Sequence, residues 1–332
     1  MKRKLTFATL TLLIAAGLSS TASAAGGELA AVATYPVRPI RLLIGLPAGG
    51  SADIVARIVT VKLGETLGEH IVVDNRAGGS GLIAPQLAAK ATPDGYTLLF
   101  RASFFSELVA SVARPMPYDL LADFAPVSLV VKVPNVLVVS PQMPVRTVAE
   151  LIAHAKANPG KLNYASSGSG SSAHLAMEAL KKQSGTDLVH IPYSGAPRAI
   201  SALLGGEVQV MFGNAPAQIP QVRVGKLRAL AVTSSARNPQ LPTVPTMMES
   251  GVRDFELTVW FGVVAPTGVP EPILTKLNSA LVKTLMLPEV REALAKQGGE
   301  ASPTTRQEFA AFQKAEVRRW SAVAKDSGAS IH

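Results

Sequence analysis

The stretch Ile40-Arg-Leu-Leu-Ile-Gly-Leu-Pro-Ala-Gly-Gly-Ser-Ala-Asp53 decides the fold class. It begins with a short apolar run, passes through a glycine turn, and leads into residues 54–67, where apolar residues recur at the three-to-four spacing of a helix. This strand-turn-helix alternation recurs roughly every 25 to 35 residues along the chain, which indicates βαβ units. The sequence therefore predicts an α/β protein with mixed, mostly parallel sheets.

The same periodicities predict the other elements. Strands are expected at residues 40–44, 71–73, 97–100, 136–139, 188–191, 208–212, 227–233 and 260–264. Helices are expected at residues 54–67, 82–91, 147–158, 174–184, 196–205, 271–285 and 305–327. Because a single core stops growing at about 250 to 300 residues, a chain of this length is expected to form two lobes.

A similarity between two segments of the chain suggests how the lobes are connected. Val136-Leu-Val-Val-Ser-Pro141 and Phe261-Gly-Val-Val-Ala-Pro266 each follow an extended apolar segment, at 125–133 and 255–259, and each leads into a predicted helix. Two such crossing segments predict a double-strand hinge. We expect residues 25–123 plus 251–332 to form one lobe and residues 124–250 to form a second, inserted lobe.

The N-terminus has the pattern of an export signal. Lys2, Arg3 and Lys4 precede an apolar run at 5–18 and a small-residue stretch at 21–25. We expect residues 1–24 to be a signal peptide, cleaved near Ala24, and the protein to be periplasmic. The absence of cysteine excludes a lipid anchor and a disulfide framework.

Charge argues against nucleic acid as a partner. Three of the 32 Lys and Arg residues and none of the 23 Asp and Glu residues lie in 1–24, so cleavage lowers the net charge from +9 to +6. The remaining basic residues are scattered singly rather than grouped with aromatic side chains. We expect a monomer that attracts anions weakly.

The first turn is a candidate carboxylate site. Glycines allow close approach of the backbone, and the free N–H groups and dipole of a helix start favour an anion. The candidate residues are Pro47, Ala48, Gly49, Gly50 and Ser51. The alternative is a plain tight turn with Ser51 as the N-cap. Asp53 cannot attract a carboxylate, so we expect it to stabilise the helix start or to contact a polar part of the ligand.

Further candidates follow other predicted strands, where open α/β sheets place ligands. In the polar loop at 166–172 and the helix after it they are Ser167, Gly168, Ser171, Ser172 and His174; at later strand ends they are Tyr193, Gly195 and Asn214. The alternatives are a flexible polar loop, a His174 bonded to its own turn, and a tyrosine buried in the core.

Arg101, with Ser103 beside it, follows the strand at 97–100. An arginine at a strand end can hold a carboxylate through two parallel hydrogen bonds. Arg101 is therefore a candidate for binding a second anionic group, which would suit a dicarboxylate or an aromatic acid. The alternative is that Arg101 pairs with Glu107 or faces solvent.

Several strings carry a family resemblance, in order and over nearly the whole chain from residue 35. They are Tyr35-Pro-Val-Arg-Pro-Ile-Arg, Pro47-Ala-Gly-Gly-Ser-Ala-Asp53, Val72-Val-Asp-Asn-Arg76, Pro93-Asp-Gly-Tyr96, Gly225-Lys-Leu-Arg-Ala-Leu-Ala-Val232, Leu241-Pro-Thr-Val-Pro-Thr246 and Trp260-Phe-Gly-Val-Val-Ala-Pro-Thr-Gly268. The chain resembles the Bug family of extracytoplasmic receptors, the solute-binding components of tripartite tricarboxylate transporters.

The resemblance implies a periplasmic-binding-protein fold of type II (a Venus flytrap), with a small carboxylate ligand held between two lobes for uptake or sensing. It also implies a ligand-facing loop at Gly168, Ser171, Ser172 and His174. Asn214 stands where many relatives carry an aspartate. The partners implied are inner-membrane subunits of a tripartite transporter, or a sensor.

The alternative function is a periplasmic enzyme acting on a small acid, either an oxidoreductase or a hydrolase. Gly168-x-Gly170-x-x-Ala173 fits a relaxed dinucleotide fingerprint, but Gly79-x-Gly81-x-x-Ala84 fits it equally well. A Gly-x-Ser-x-Gly nucleophile elbow is not present: Ser167-Gly-Ser-Gly170 lacks its first glycine, and Gly49-Gly-Ser-Ala-Asp53 lacks its last. The histidines are widely separated and cysteine is absent, so we expect no metal site. With the enzyme motifs incomplete and the receptor resemblance present, we also expect no cofactor and no catalysis.

Overall fold

The structure is a computed structural model, and it describes residues 34–103, 105–113 and 115–326. The predicted signal peptide at 1–24 lies outside these residues. Among the described residues, no helix is both long and apolar enough to cross a membrane.

Strands and helices alternate along the chain, as the sequence predicts. The strands are β1 (Ile40–Ile44), β2 (Ile71–Asn75), β3 (Thr97–Ala102), β4 (Phe124–Val139), β5 (Asn163–Ser166), β6 (Val189–Pro192), β7 (Val210–Asn214), β8 (Arg228–Val232), β9 (Thr258–Pro266) and β10 (Glu300–Ala301). The helices are α1 (Ser51–Leu67), α2 (Ile83–Ala89), α3 (Phe105–Ala113), α4 (Val148–Ala157), α5 (Ser172–Ser184), α6 (Ala196–Gly205), α7 (Ala215–Arg223), α8 (Glu271–Met286), α9 (Pro288–Lys296) and α10 (Arg306–Asp326). The predicted α/β class is confirmed.

The pairing of the strands divides them into two groups. β2, β1 and β3 are parallel neighbours, as are β6, β5 and β7. Every pairing that involves β4 or β9 is antiparallel. The sheets are therefore mixed, with parallel outer strands and an antiparallel centre, and β1 is almost continuously apolar because both of its faces are covered.

β4 passes from one group of strands to the other. Its residues from Phe124 to Pro134 pair with β9, and those from Asn135 to Val139 pair with β7 and β8. The chain returns through Thr233 and Leu257, and the Thr233 hydroxyl accepts a hydrogen bond from the Asn135 N–H and donates to the Leu257 carbonyl. The two passages between the groups are thus hydrogen-bonded to each other.

Three described helices have no counterpart in the prediction. α3, α7 and α9 are each nine residues long, and α7 contains Pro216 near its start and Pro220 inside it. Proline is tolerated in a first helical turn but removes a hydrogen bond further in, so the local sequence of α7 does not favour a helix. The predicted strand at 136–139 is only the last quarter of β4.

Candidate functional site

A cavity of about 90 Å³ lies between the two groups of strands, at the carboxyl ends of β1, β3 and β7. One part of its wall is apolar and is formed by Leu46, Pro85, Phe100, Phe105, Val259 and Phe261. Another part is polar and is formed by Ser103, Ser106, Ser167, Ser171, Ser172 and Asn214. A water molecule needs about 10 to 15 Å³ of such space, so the cavity has room for several waters, and it is partly open to solvent.

The candidate residues divide into two sets. Arg101, Ser103, Ser167, Ser171, Ser172 and Asn214 line the cavity. Pro47, Ala48, Gly49, Gly50, Ser51, Asp53, Gly168, His174, Tyr193 and Gly195 are not among its lining residues. Leu46, Ser106 and the three phenylalanines were not predicted, because nothing in their local sequence separates a cavity wall from a core or from a helix surface.

Asp53 holds the turn at 47–50 in place through a hydrogen bond. The Gly49 N–H donates to the Asp53 carboxylate at 2.9 Å, and the same carboxylate forms an ion pair with Arg57 at 3.0 Å. Burial alone would raise the pKa of Asp53, but hydrogen bonds from Arg57, the Gly49 N–H and Asn75 hold it below its ordinary value. Asp53 therefore stabilises the helix start, which is one of its two expected roles.

Ser51 lies at the N-terminus of the 17-residue helix α1, and Gly50 takes the N-cap position. The alternative prediction, that Ser51 is the N-cap, is therefore wrong. Ser51 is 5% exposed, and its buried Oγ has no hydrogen-bond partner in the described part of the chain. The free N–H groups and dipole of this helix start favour an anion.

Two contacts across the cleft involve glycines. Gly195 has a φ of +106°, and a Cβ built on it would lie 2.3 Å from Cγ of Pro47. A Cβ on Gly170 would lie 3.1 Å from Cβ of Val109 on α3. Pro47 and Val109 belong to the side of the cleft that contains β1 and β3, whereas the glycines precede α5 and α6 on the other side. Only glycine allows the two sides to meet this closely.

The loop at 166–171 rests on a stack of aromatic rings. The His174 and His190 rings stack at 3.9 Å between centroids, and His190 stacks on Tyr164 at 4.8 Å. The Gly170 N–H donates to Nδ1 of His174 at 3.1 Å. His174 is 6% exposed, so it holds the loop in place from beneath, as the alternative of a histidine bonded to its own turn predicts.

Burial lowers the pKa of both histidines, and for His190, with His174 as a second cause, it lowers the pKa to about 4. Glu178 opposes this shift and Lys181 reinforces it. The unfolded chain takes up a proton on His190 near pH 6.5, whereas the folded protein does so only near pH 4. The contribution of His190 to the free energy of unfolding is therefore complete above pH 6.5 and is lost as the pH falls toward 4.

His190→Phe should therefore flatten the pH dependence of stability. Between pH 7.5 and pH 5 the unfolding free energy of the variant should fall by about 1 kcal/mol less than that of the wild type, a figure discounted for the partial exposure of His190. Urea unfolding at the two pH values measures this, with the exposed His70→Phe as the matched control. Equal pH dependence in the wild type and His190→Phe would contradict the expectation.

Arg101 is held by protein partners. Its guanidinium forms an ion pair with Glu107 at 2.7 Å and donates to the Leu120 carbonyl at 2.8 Å, and its side chain is 1% exposed. The Tyr118 hydroxyl donates to the same Glu107 oxygen at 2.9 Å. The alternative prediction of an Arg101–Glu107 pair is confirmed, and the cavity wall here carries two balanced charges.

Several other candidate side chains also have protein partners. The Ser103 hydroxyl accepts from the Trp260 N–H at 2.8 Å and ties the end of β3 to β9. The Tyr193 hydroxyl donates to Glu207 at 3.4 Å. Asn214 is the N-cap residue of α7, and Ser171 is the N-cap residue of α5, with its Oγ accepting from the His174 N–H. Two helix N-termini thus meet the polar wall of the cavity.

A small cavity with an apolar wall and a polar wall lies between two α/β halves, and two helices begin at the polar wall. This is the arrangement of a ligand-binding protein. The sequence profile of the tripartite tricarboxylate transporter family receptors (TctC) matches residues 55–329, and the chain belongs to this family. It is therefore a solute receptor rather than an enzyme.

Relatives and solved structures agree with this assignment. The chain is 40% identical to the protein BugT of Bordetella pertussis over 299 residues, which are 90% of this chain and 92% of BugT. The R. palustris protein Rpa4515, solved with adipate, is 36% identical with a TM-score of 0.85, and the match covers 90% of this chain and all of that one. The periplasmic binding protein BugD is 34% identical with a TM-score of 0.84 and the same coverage. The predicted fold and Bug resemblance are confirmed.

Proposed function

We propose that the protein is exported to the periplasm, with its signal peptide cleaved near Ala24, and that it closes two lobes around a small carboxylate ligand. The chain passages at Pro134–Asn135, at Thr233 and at Leu257 serve as the double hinge. The first two lie within the expected inserted lobe at 124–250, and Leu257 lies just after its end. The closed form then presents its surface to inner-membrane subunits of a tripartite transporter or to a sensor, as a monomer.

The observation that carries this proposal is the meeting of two helix N-termini at the polar wall of the cavity. Ser171, Ser172 and Asn214 begin α5 and α7, and all three line the cavity. Helix N-termini attract anions through their free N–H groups and their dipoles. The Arg101–Glu107 pair adds no net charge, so neutral donors hold the carboxylate.

The first turn completes the binding site by approaching from the other side. The N-terminus of α1 follows the lining residues Gly45 and Leu46, its free backbone N–H groups supply further donors, and Pro47 lies against Gly195 across the cleft. In this proposal residues 47–51 and the 167–172 loop grip the ligand from opposite lobes, while the apolar wall accepts its hydrocarbon or aromatic body. Adipate bound to Rpa4515 supports a carboxylate as the recognised group.

A thermal-shift screen tests the proposed function. The exported protein is unfolded and refolded to remove bound molecules, and is then screened with monocarboxylates, dicarboxylates and aromatic acids. An acid present at 100 times its Kd should stabilise the fold by about 2.7 kcal/mol, which raises the melting temperature by a few degrees. The primary amide of each acid is the control. If no acid raises the melting temperature, the proposal fails.

A further inference from the structure

Asn135 lies at the point where β4 passes between the two groups of strands. It is 0% exposed, and its backbone is fixed by Thr233, whose hydroxyl accepts from the Asn135 N–H at 2.8 Å and whose N–H donates to the Asn135 carbonyl at 2.9 Å. Asn135 is directly opposite Asn214 in the β4–β7 pair. A buried amide in a mostly apolar strand therefore faces a residue of the cavity wall.

The Asn135 side chain joins two residues that line the cavity. Its Oδ1 accepts from Nδ2 of Asn214 at 2.8 Å and from the Ser172 hydroxyl at 3.4 Å, and Nδ2 of Asn214 also contacts the Ser172 hydroxyl at 3.3 Å. Both hydrogens of the Asn214 amide nitrogen thus have acceptors. The Asn214 atom left to the cavity is Oδ1, which accepts a hydrogen bond but cannot donate one.

The amide nitrogen of Asn135 is buried without a hydrogen-bond partner in the described part of the chain. A buried unsatisfied donor is costly. If both amides turn over about their last side-chain bond, Nδ2 of Asn135 acquires two acceptors, the Asn214 carbonyl oxygen and the Ser172 hydroxyl. The same rotation turns the Asn214 nitrogen toward the cavity, where it can donate to a carboxylate.

We propose that Asn135 is a positioning residue that sets the hydrogen-bond polarity of the cavity, because it decides whether Asn214 presents a donor or an acceptor to the ligand. The inference rests on the proposed function, and it adds that a carboxylate at Asn214 is bound with both amides turned over. A ligand group that donates hydrogen bonds, such as a primary amide, favours the unturned arrangement.

The test compares acids with their primary amides by titration calorimetry. The probes are adipate, succinate and benzoate with adipamide, succinamide and benzamide, and the measured quantity is the ratio of acid affinity to amide affinity. Asn135→Leu is uncharged and nearly isosteric, and it should lower this ratio at least about five-fold while the melting temperature without ligand stays unchanged or rises. In its ionised form Asn135→Asp can only accept from Asn214, and its charge also repels an acid, so this variant should lower the ratio at least about fifty-fold.

Asn238→Leu is the matched control. Asn238 is 6% exposed and its Nδ2 donates to the Gly298 carbonyl, away from the cavity lining. This variant should lose stability without a change in the ratio. If the wild type binds none of the three acids, the proposed function fails and this inference fails with it. If the wild type binds an acid and both Asn135 variants keep its ratio, this inference alone is wrong.

Discussion

Gly195→Ala is expected to weaken carboxylate binding by at least ten-fold, or about 1.4 kcal/mol, because it prevents the two sides of the cleft from meeting. The new Cβ would lie 2.3 Å from Cγ and 2.8 Å from Cδ of Pro47. Neither distance is sterically possible, so the closed form must open or shift. Small-angle scattering should show a larger radius of gyration with the acid bound than the wild type has.

Gly206→Ala is the control for backbone strain. Gly206 ends the same helix, α6, with a φ of +80°, and a Cβ there has nothing within 4 Å. Both alanine variants should lose some stability because positive φ disfavours a side chain. Only Gly195→Ala should lose affinity. Equal affinity losses in the two variants would contradict the closure contact.

Glu107→Leu is expected to destabilise the protein by about 3 to 5 kcal/mol, because removal of one partner leaves the Arg101 guanidinium buried without its counter-charge. The Tyr118 hydroxyl loses its acceptor at the same time. Urea unfolding measures the loss. Arg101→Met combined with Glu107→Leu should recover most of it, since an apolar pair avoids the cost of burying two charges.

The double variant also tests whether Arg101 binds a second anionic group. The Arg101 guanidinium already binds Glu107 and the Leu120 carbonyl. We therefore expect the ratio of diacid affinity to the affinity for the monoacid of the same length to be equal in the double variant and the wild type. A selective loss of diacid affinity would assign Arg101 to the ligand. A single Glu107→Leu variant within about 1 kcal/mol of wild-type stability would contradict the buried-pair argument.

The fold class was predictable because its signals are local. The apolar run at Ile40–Ile44, the glycine turn and the periodicity of α1 all lie within 28 residues of chain. β4 was not predicted as one strand, because Pro126 and Pro134 interrupt its apolar pattern. Proline disfavours central strands, and Pro134 lies where β4 leaves β9 for β7 and β8.

The polar wall of the cavity was partly predictable, and its apolar wall was not. Ser171, Ser172 and Asn214 stand at strand-to-helix junctions, where a local rule places ligand-binding groups. Phe261 and Phe100 reach the cavity only because β9 pairs with β3 across about 160 residues of chain, and such pairing has no local signal. Asn135 was missed for the same reason, since its partners are 37 and 79 residues away.

The most direct test of the central claim, that the cleft holds a small carboxylate without altering it, is native mass spectrometry of the refolded protein with the acid that the thermal-shift screen selects. We expect one molecule of the acid bound per chain, released with its mass unchanged, and a complex that Gly195→Ala weakens and Gly206→Ala does not. A conversion of the acid, or a complex that survives Gly195→Ala with full strength, would contradict the account.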